Sequence, residues 1–192
     1  GYDGEIVSEF IRILKNDGFC FSVEDLMRLF EFVISPSDRI INGAVYTPPE
    51  IRGTIVKKCL EQRKNLAMVR AADISCGCGG FLADVALWIH KKTKKDFATI
   101  FKENVWGIDL QEYAIKRTKI LLSFLAISQG EDVDFEFNLL CRDTLDYADD
   151  WDEQYRDFDV IVGNPPYVCS RNLSPETHKK LKRYEVCDSG HP

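Results

Sequence analysis

The sequence has little that would tie it to a membrane, a metal or an oxidising compartment. No stretch of its 192 residues is long and apolar enough to span a bilayer, and no secretory signal opens it. Its seven cysteines are odd in number and their spacing builds no disulfide framework. A reducing, cytoplasmic setting is therefore expected. Cys76 and Cys78 form a C-x-C pair with no second pair and no histidine nearby, so no zinc site or other metal ligand is assigned. His90, His178 and His191 show no ligand spacing and support no Ser-His-Asp arrangement. Positive charge is also short. The formal net charge of −6 argues against an extended DNA-wrapping surface, while leaving room for a local basic groove or a basic partner. There is no internal repeat. What remains, 45% hydrophobic and 29% charged, is the composition of an ordinary globular protein with one sizeable domain and a small helical addition. The closing Asp188-Ser189-Gly190-His191-Pro192 reads as mid-loop, so the chain is expected to be a fragment of a longer protein.

Two amphipathic scaffold helices come first. Ile6, Val7, Phe10, Ile11, Ile13 and Leu14 recur at helical spacing up to Asn16-Asp17-Gly18. Ser22 and Asp25 resemble a capping box for a second helix carrying Leu26, Met27, Leu29, Phe30 and Val33. These form a helical segment over residues 1–44, ahead of a core over 45–192. In Tyr46-Thr47-Pro48-Pro49-Glu50, Thr47 suits an N-cap, Pro48 the first helical position and Glu50 the closing of a box. A well-capped helix accounts for these residues; a helix N-terminus aimed at a polar ligand group accounts for them equally.

Residues 66–75 read as a strand that runs into Cys76-Gly77-Cys78-Gly79-Gly80. Phe81, Leu82, Val85, Ala86, Trp88 and Ile89 then follow helical period. Strand, glycine loop and helix make the first turn of a Rossmann-like nucleotide site. A dinucleotide fingerprint wants Gly or Ala where Leu82 stands, so the loop suits a ligand without a pyrophosphate. Lys91, Lys92, Lys94 and Lys95 at that helix's end read as a solvated face. A second strand, residues 105–110, ends in Asp109, placed to accept from two ribose hydroxyls. A third, about 135–140, leads to Asp143, which is either a surface-turn residue or an acceptor for an adenine amine. An acidic loop follows, then the apolar run 158–163, which stops at Asn164-Pro165-Pro166-Tyr167. The prolines fix φ and remove two donors. The turn therefore offers the Asn164 amide oxygen, the Pro165 carbonyl and the Tyr167 ring to a flat group bearing an amine; an ordinary Asn-Pro turn with a packed tyrosine fits the stretch as well. Ser174-Pro175-Glu176 caps a short basic helix with Lys179, Lys180, Lys182 and Arg183, which reads as solvated, with contact to a phosphate backbone as the alternative.

Taken in order, these motifs resemble the adenine-specific DNA methyltransferases of restriction–modification systems, in particular type I modification subunits and fused restriction–methylation enzymes. The resemblance runs from about Val45 to Arg183. It implies an α/β fold, a Rossmann-like methyltransferase with a mostly parallel sheet that is incomplete here. It also implies S-adenosylmethionine as cofactor. Tyr46 and Thr47 would enclose its methionine part, and Asp73, Cys76, Gly77 and Gly79 would form its loop. Asp109, with Leu110, would hold the ribose end, and Asp143, with Thr144, the adenine. Asn164, Pro165, Pro166 and Tyr167 would be catalytic. Double-stranded DNA with a flipped adenine is the implied substrate. A specificity subunit, a restriction subunit or a fused nuclease is the implied partner. The Asn-Pro-Pro-Tyr loop is shared with methyltransferases of protein glutamine and ribosomal RNA, and Tyr46-Thr47-Pro48-Pro49 tips the resemblance to DNA. A non-catalytic binding module is the contrasting possibility. Cys76 and Cys78 stand where the family more often has other small residues.

Overall fold

The computed structural model describes residues 21–33, 47–146, 153–167 and 173–184. The helix expected over residues 6–14, the boundary at residue 44 and Tyr46 lie outside them.

Four short strands form one parallel sheet: β1 Ala71–Asp73, β2 Val105–Asp109, β3 Asn138–Cys141 and β4 Val160–Ile161, in the order β3-β2-β1-β4. The α/β expectation holds, and every carboxyl end lies along one edge. Ala71 sits opposite Val105 on one side and Val160 on the other. Among the described residues six α-helices accompany the sheet: α1 Val23–Val33, α2 Pro49–Leu60, α3 Gly80–Thr93, α4 Phe97–Glu103, α5 Glu112–Ser128 and α6 Pro175–Leu181.

Side chains alternate across a strand, so each strand serves two faces. Ala71, Val105 and Val160 join the main core, with Leu82 and Ile89 of α3, Phe97 and Phe101 of α4 and Leu121, Leu122 and Leu125 of α5. Ala72, Trp106 and Ile108 face the other way, onto Tyr155 and Phe158. Leu26 and Met27 place α1 in the main core.

Some expected elements shift. The 66–75 strand shrinks to Ala71–Asp73, and Leu66–Met68 forms a 3-10 turn. The buried Asn104 explains this: its Nδ2 donates to Ala67 O (3.1 Å) and Val69 O (2.7 Å), which diverts both carbonyls from a ladder. The third strand starts at Asn138, not 135, because Phe135 and Phe137 pack on Phe101 instead, edge-on and tilted, with ring centroids 5.6 and 5.2 Å away. Helix α4 was not expected from the sequence. Asp96 Oδ1 accepts from Thr99 N (2.7 Å), and the Glu131 carboxylate accepts from Phe97 N and Ala98 N (both 2.7 Å). The Ser22–Asp25 capping box forms as expected.

At α2 the N-cap is Pro48, not Thr47, and the helix begins at Pro49 without a side-chain cap. Neither proline has an N–H to satisfy, so this start needs little capping. The Thr47 hydroxyl is thereby released from the role its sequence position suggests. Helix α2 is moored by Arg52, which is 4% exposed. Its Nε donates to Asp84 Oδ2 of α3 (2.6 Å), one terminal nitrogen to Glu24 Oε2 of α1 (2.9 Å) and the other to Thr47 O (3.4 Å). Burial opposes the charge on Arg52, but the bonds to Asp84 and Glu24 outweigh it and hold the guanidinium ionised.

Gly107 in β2 leaves the space that α3 fills. A Cβ there would lie 2.5 Å from Leu139 Cδ2 and 2.8 Å from Leu82 Cδ1. Gly107→Ala therefore overpacks the sheet–helix contact and is expected to destabilise the fold by about 1–3 kcal/mol, read as a lower urea midpoint with an unchanged slope.

Candidate functional site

The candidate site lies along the carboxyl edge of the sheet, where β1 and β4 are neighbours although α3, β2, α5 and β3 intervene in sequence. In open α/β sheets such a reversal of strand order opens a ligand crevice. Each expected site residue within the described range sits on this edge or on a segment packed against it.

The loop after β1 is built from backbone. Cys76 N donates to Ile108 O (2.9 Å), and Gly79 N to Cys76 O (2.8 Å). Gly77 and Gly79 have φ of +55° and +90°, a region open to glycine at little cost. At Gly77 an added Cβ would meet nothing within 4 Å; at Gly79 it would meet Thr118 Cγ2 at 2.8 Å. Thr118 was not anticipated. It is fully buried on α5, donates to Gly77 O (3.0 Å) and lies 3.7 Å from Cys76 Sγ. Its position in the run Ala114, Ile115, Thr118, Leu121, Leu122, at helical spacing, was the available signal. Burial, then the charges of Asp73 and Asp109, push the Cys76 thiol well up, so it stays neutral. Cys76 thus serves the loop through its small size and backbone.

Two carboxylates flank this loop. Asp109 accepts from Gly77 N through Oδ2 and from Gln111 N through Oδ1, both at 2.9 Å. Burial raises its pKa and those backbone bonds oppose the rise. Leu110, next in sequence, is 61% exposed. Asp73 is 2% exposed, and its Oδ1 accepts from Ser75 N (3.0 Å). Burial pushes its pKa up to about 7; the Ser75 N–H opposes this, and the charge of Asp109 adds to it.

The turn after β3 is fastened at both ends. Thr144 Oγ1 donates to Ile74 O (2.6 Å), and Leu145 N donates to Asp143 Oδ1 (3.0 Å). Asp143 Oδ2 accepts from Lys180 Nζ of α6 (2.7 Å), and Asp146 Oδ1 accepts from the same ammonium (2.9 Å). Tyr184 Oη donates to Leu145 O (2.9 Å). The pairing of α6 with this turn was not expected from the sequence, which read the basic residues as solvated.

Val162 N donates to Ala72 O (2.9 Å), carrying the β1–β4 pairing toward Asn164. Gly163 then passes against Asp73: a Cβ built on it would lie 2.5 Å from Asp73 Oδ1. Half-buried Asn164 donates through Nδ2 to Thr47 Oγ1 (3.1 Å). Pro165 and Pro166 are exposed, and Tyr167 is 72% exposed. The structure therefore joins the loop after β1, the start of α2 and the loop after β4. A depression lined by Arg63, Lys64, Asn65, Met68, Val69 and Asp159 lies at the opposite end of β1, away from these residues. Among the described residues no helix is long and apolar enough to cross a membrane.

Residues 103–192 match the sequence model of the family described as Eco57I restriction-modification methylase. The chain is 28% identical over 148 residues to the Type II methyltransferase M.BanIII of Aneurinibacillus aneurinilyticus, covering 73% of this chain and 24% of that protein. A Listeria monocytogenes protein, provisionally assigned as a class I S-adenosylmethionine-dependent methyltransferase, superposes with a TM-score of 0.55 at 18% identity, covering 89% of this chain and 46% of that one. The chain thus spans about a quarter of the curated relative and about half of the structural one. In sequence it resembles restriction–modification DNA methyltransferases, and its fold is similar to that of the Listeria protein.

Proposed function

We propose that this chain carries the cofactor loop and catalytic loop of an adenine-specific DNA methyltransferase of a restriction–modification system, acting on the 6-amino group. The observation that carries the reading is the close approach of Gly163 to Asp73, which sets the Asn-Pro-Pro-Tyr turn beside the strand end that leads into the glycine loop. When bound, S-adenosylmethionine supplies an electrophilic methyl group on a sulfonium.

The residues suit that cofactor. Gly77 leaves open space where a flat nucleoside needs close approach, Gly79 lets the loop pack on Thr118, and Asp109 keeps lone pairs for ribose hydroxyls. Asp73 favours a cationic neighbour, because it is a buried acid beside a second acid. Leu110, exposed at the tip of β2, offers an apolar face to the adenine ring. Tyr46 and Thr47 would border the methionine part, and Thr144 would hold the turn that carries Asp143. Asp143 would accept from the adenine amine once Lys180 yields Oδ2.

Catalysis rests on two acceptors. The lone pair of an aromatic amine is delocalised into its ring, so the amine is a poor nucleophile. The Asn164 amide oxygen and the Pro165 carbonyl accept its two hydrogens, draw the nitrogen toward tetrahedral geometry and localise the lone pair for the methyl. Fixed acceptors do this without reorganisation at the moment of reaction. A base must leave the duplex to reach the turn, at about a few kcal/mol, and Tyr167 would stack on it. A specificity subunit, restriction subunit or fused nuclease completes the proposed system.

Mass spectrometry of nucleosides tests this reading. DNA from cells carrying the intact protein is expected to contain 6-methyladenine. Asn164→Ala is expected to lower transfer by about a hundredfold or more, with S-adenosylmethionine affinity kept. Unmodified DNA with cofactor binding confirmed would move the product to protein or RNA and sink the DNA reading.

Asp73 also sets a pH dependence. Its folded-state pKa lies above its unfolded value, so its contribution to stability is fully present below the usual carboxylate range and is lost as pH rises through about 7. A bound sulfonium favours the ionised form. Cofactor affinity is therefore expected to rise with pH and level off above about 7. Asp73→Asn should flatten that rise in calorimetric titrations run at several pH values.

Lys180→Ala frees Asp143 Oδ2 and is expected to tighten cofactor binding by about twofold to fivefold, the scale of a partly exposed ion pair. Weaker binding in the same titration would instead make Lys180 a support for Asp143.

A further inference from the structure

Thr47 occupies a position where sequence calls for a helix cap, yet its side chain caps nothing. The start of α2 is taken by Pro48 and Pro49, and Ile51 N and Arg52 N donate to Pro48 O (3.1 and 3.0 Å). The Thr47 hydroxyl accepts instead from Asn164 Nδ2 at 3.1 Å, across 117 positions of sequence. The side chain is well held for this purpose. Threonine is stiff at χ1, the residue before a proline has restricted backbone, and Arg52 donates to Thr47 O (3.4 Å).

An asparagine amide has a donating end and an accepting end that differ little in shape. Methylation of an amine needs the accepting end turned to the substrate; the flipped amide presents two N–H groups to an N–H donor. We propose that Thr47 is a positioning residue for Asn164: its hydroxyl holds the amide nitrogen and so keeps the amide oxygen on the substrate side. The assignment rests on the catalytic reading of Asn164 above. It gives Thr47 a task distinct from enclosing the cofactor. Asp73 limits the loop from the other side, since it leaves no room for a side chain at Gly163. The peptide is thus held at one residue and the amide at the next.

The test uses the intact protein with wild type, Thr47→Val and Thr47→Ser. Single-turnover methyl transfer to DNA and S-adenosylmethionine Kd are measured separately, with Tm as a check on folding. Valine keeps the shape and removes the hydroxyl; serine keeps the hydroxyl. Thr47→Val is expected to slow the chemical step by about tenfold, the worth of one neutral hydrogen bond, a loss in single-turnover rate at saturating cofactor and so beyond any change in Kd, with Tm near wild type. Thr47→Ser is expected to recover most of the rate. Unchanged turnover in Thr47→Val overturns the proposal. So does a loss that appears wholly in cofactor Kd, which makes Thr47 a cofactor contact only, and so does a slow Thr47→Ser whose Kd and Tm are intact. Failure of the parent reading is told apart at the outset: the wild type would not methylate DNA, or Asn164→Ala would transfer as fast as wild type.

Discussion

The buried Arg52 guanidinium is the joint on which the site's geometry depends. One side chain binds α1 through Glu24, α3 through Asp84 and its own helix start through Thr47 O. Removing one member of such a group leaves charge buried without compensation, typically at roughly 3–5 kcal/mol. The sheet sets the position of the loops after β1, β2 and β4, and Val56 and Leu60 of α2 pack into the core it shares, but a polar bond is what fixes the start of α2. Arg52 makes that bond, and Gly80 leaves its side chain space: a Cβ there would come within 3.2 Å of Arg52 Nη1. The line from Asp84 through Arg52 and Thr47 to Asn164 is therefore continuous, and each link is a polar contact of defined direction.

A second constraint works by burial of charge and, to a lesser degree, by repulsion. Asp73 and Asp109 are two acids at neighbouring strand tips, both with pKa values raised by burial. Backbone N–H groups hold both: Ser75 N donates to Asp73, and Gly77 N and Gln111 N donate to Asp109. An acidic cleft of this kind is poorly balanced by the protein alone and better balanced by a cationic guest. On the proposed reading, the strain of two close acids becomes selectivity for the cofactor's positive charge.

Much of this architecture was legible in the sequence because its elements announce themselves locally. The glycine loop between strand and helix, the Ser22–Asp25 box and the apolar run stopping at Asn164 each rest on neighbours a few residues apart. Where the reading failed, a distant partner decided. Residues 66–70 look like strand until Asn104 takes their carbonyls. Thr47 looks like a cap until Asn164 is folded onto it. Lys180 looks solvated until α6 meets Asp143 and Asp146. Helix α4 owes part of its start to Glu131, more than thirty positions away. Sequence patterns carry local preference well, and they carry nothing about which remote side chain will arrive.

The position of β4 has a consequence for the order in which this protein folds. The pairings β1–β2 and β2–β3 each close one crossover, whereas β4 returns to β1 past everything between Ala71 and Val160. Closing that longest loop costs the most chain entropy and gains only a two-residue ladder. The glycine loop thus rests on pairings between near neighbours, and the Asn164 turn on the most distant one. On the proposed reading, a nascent chain can assemble the cleft for the cofactor before it possesses the group that would use it.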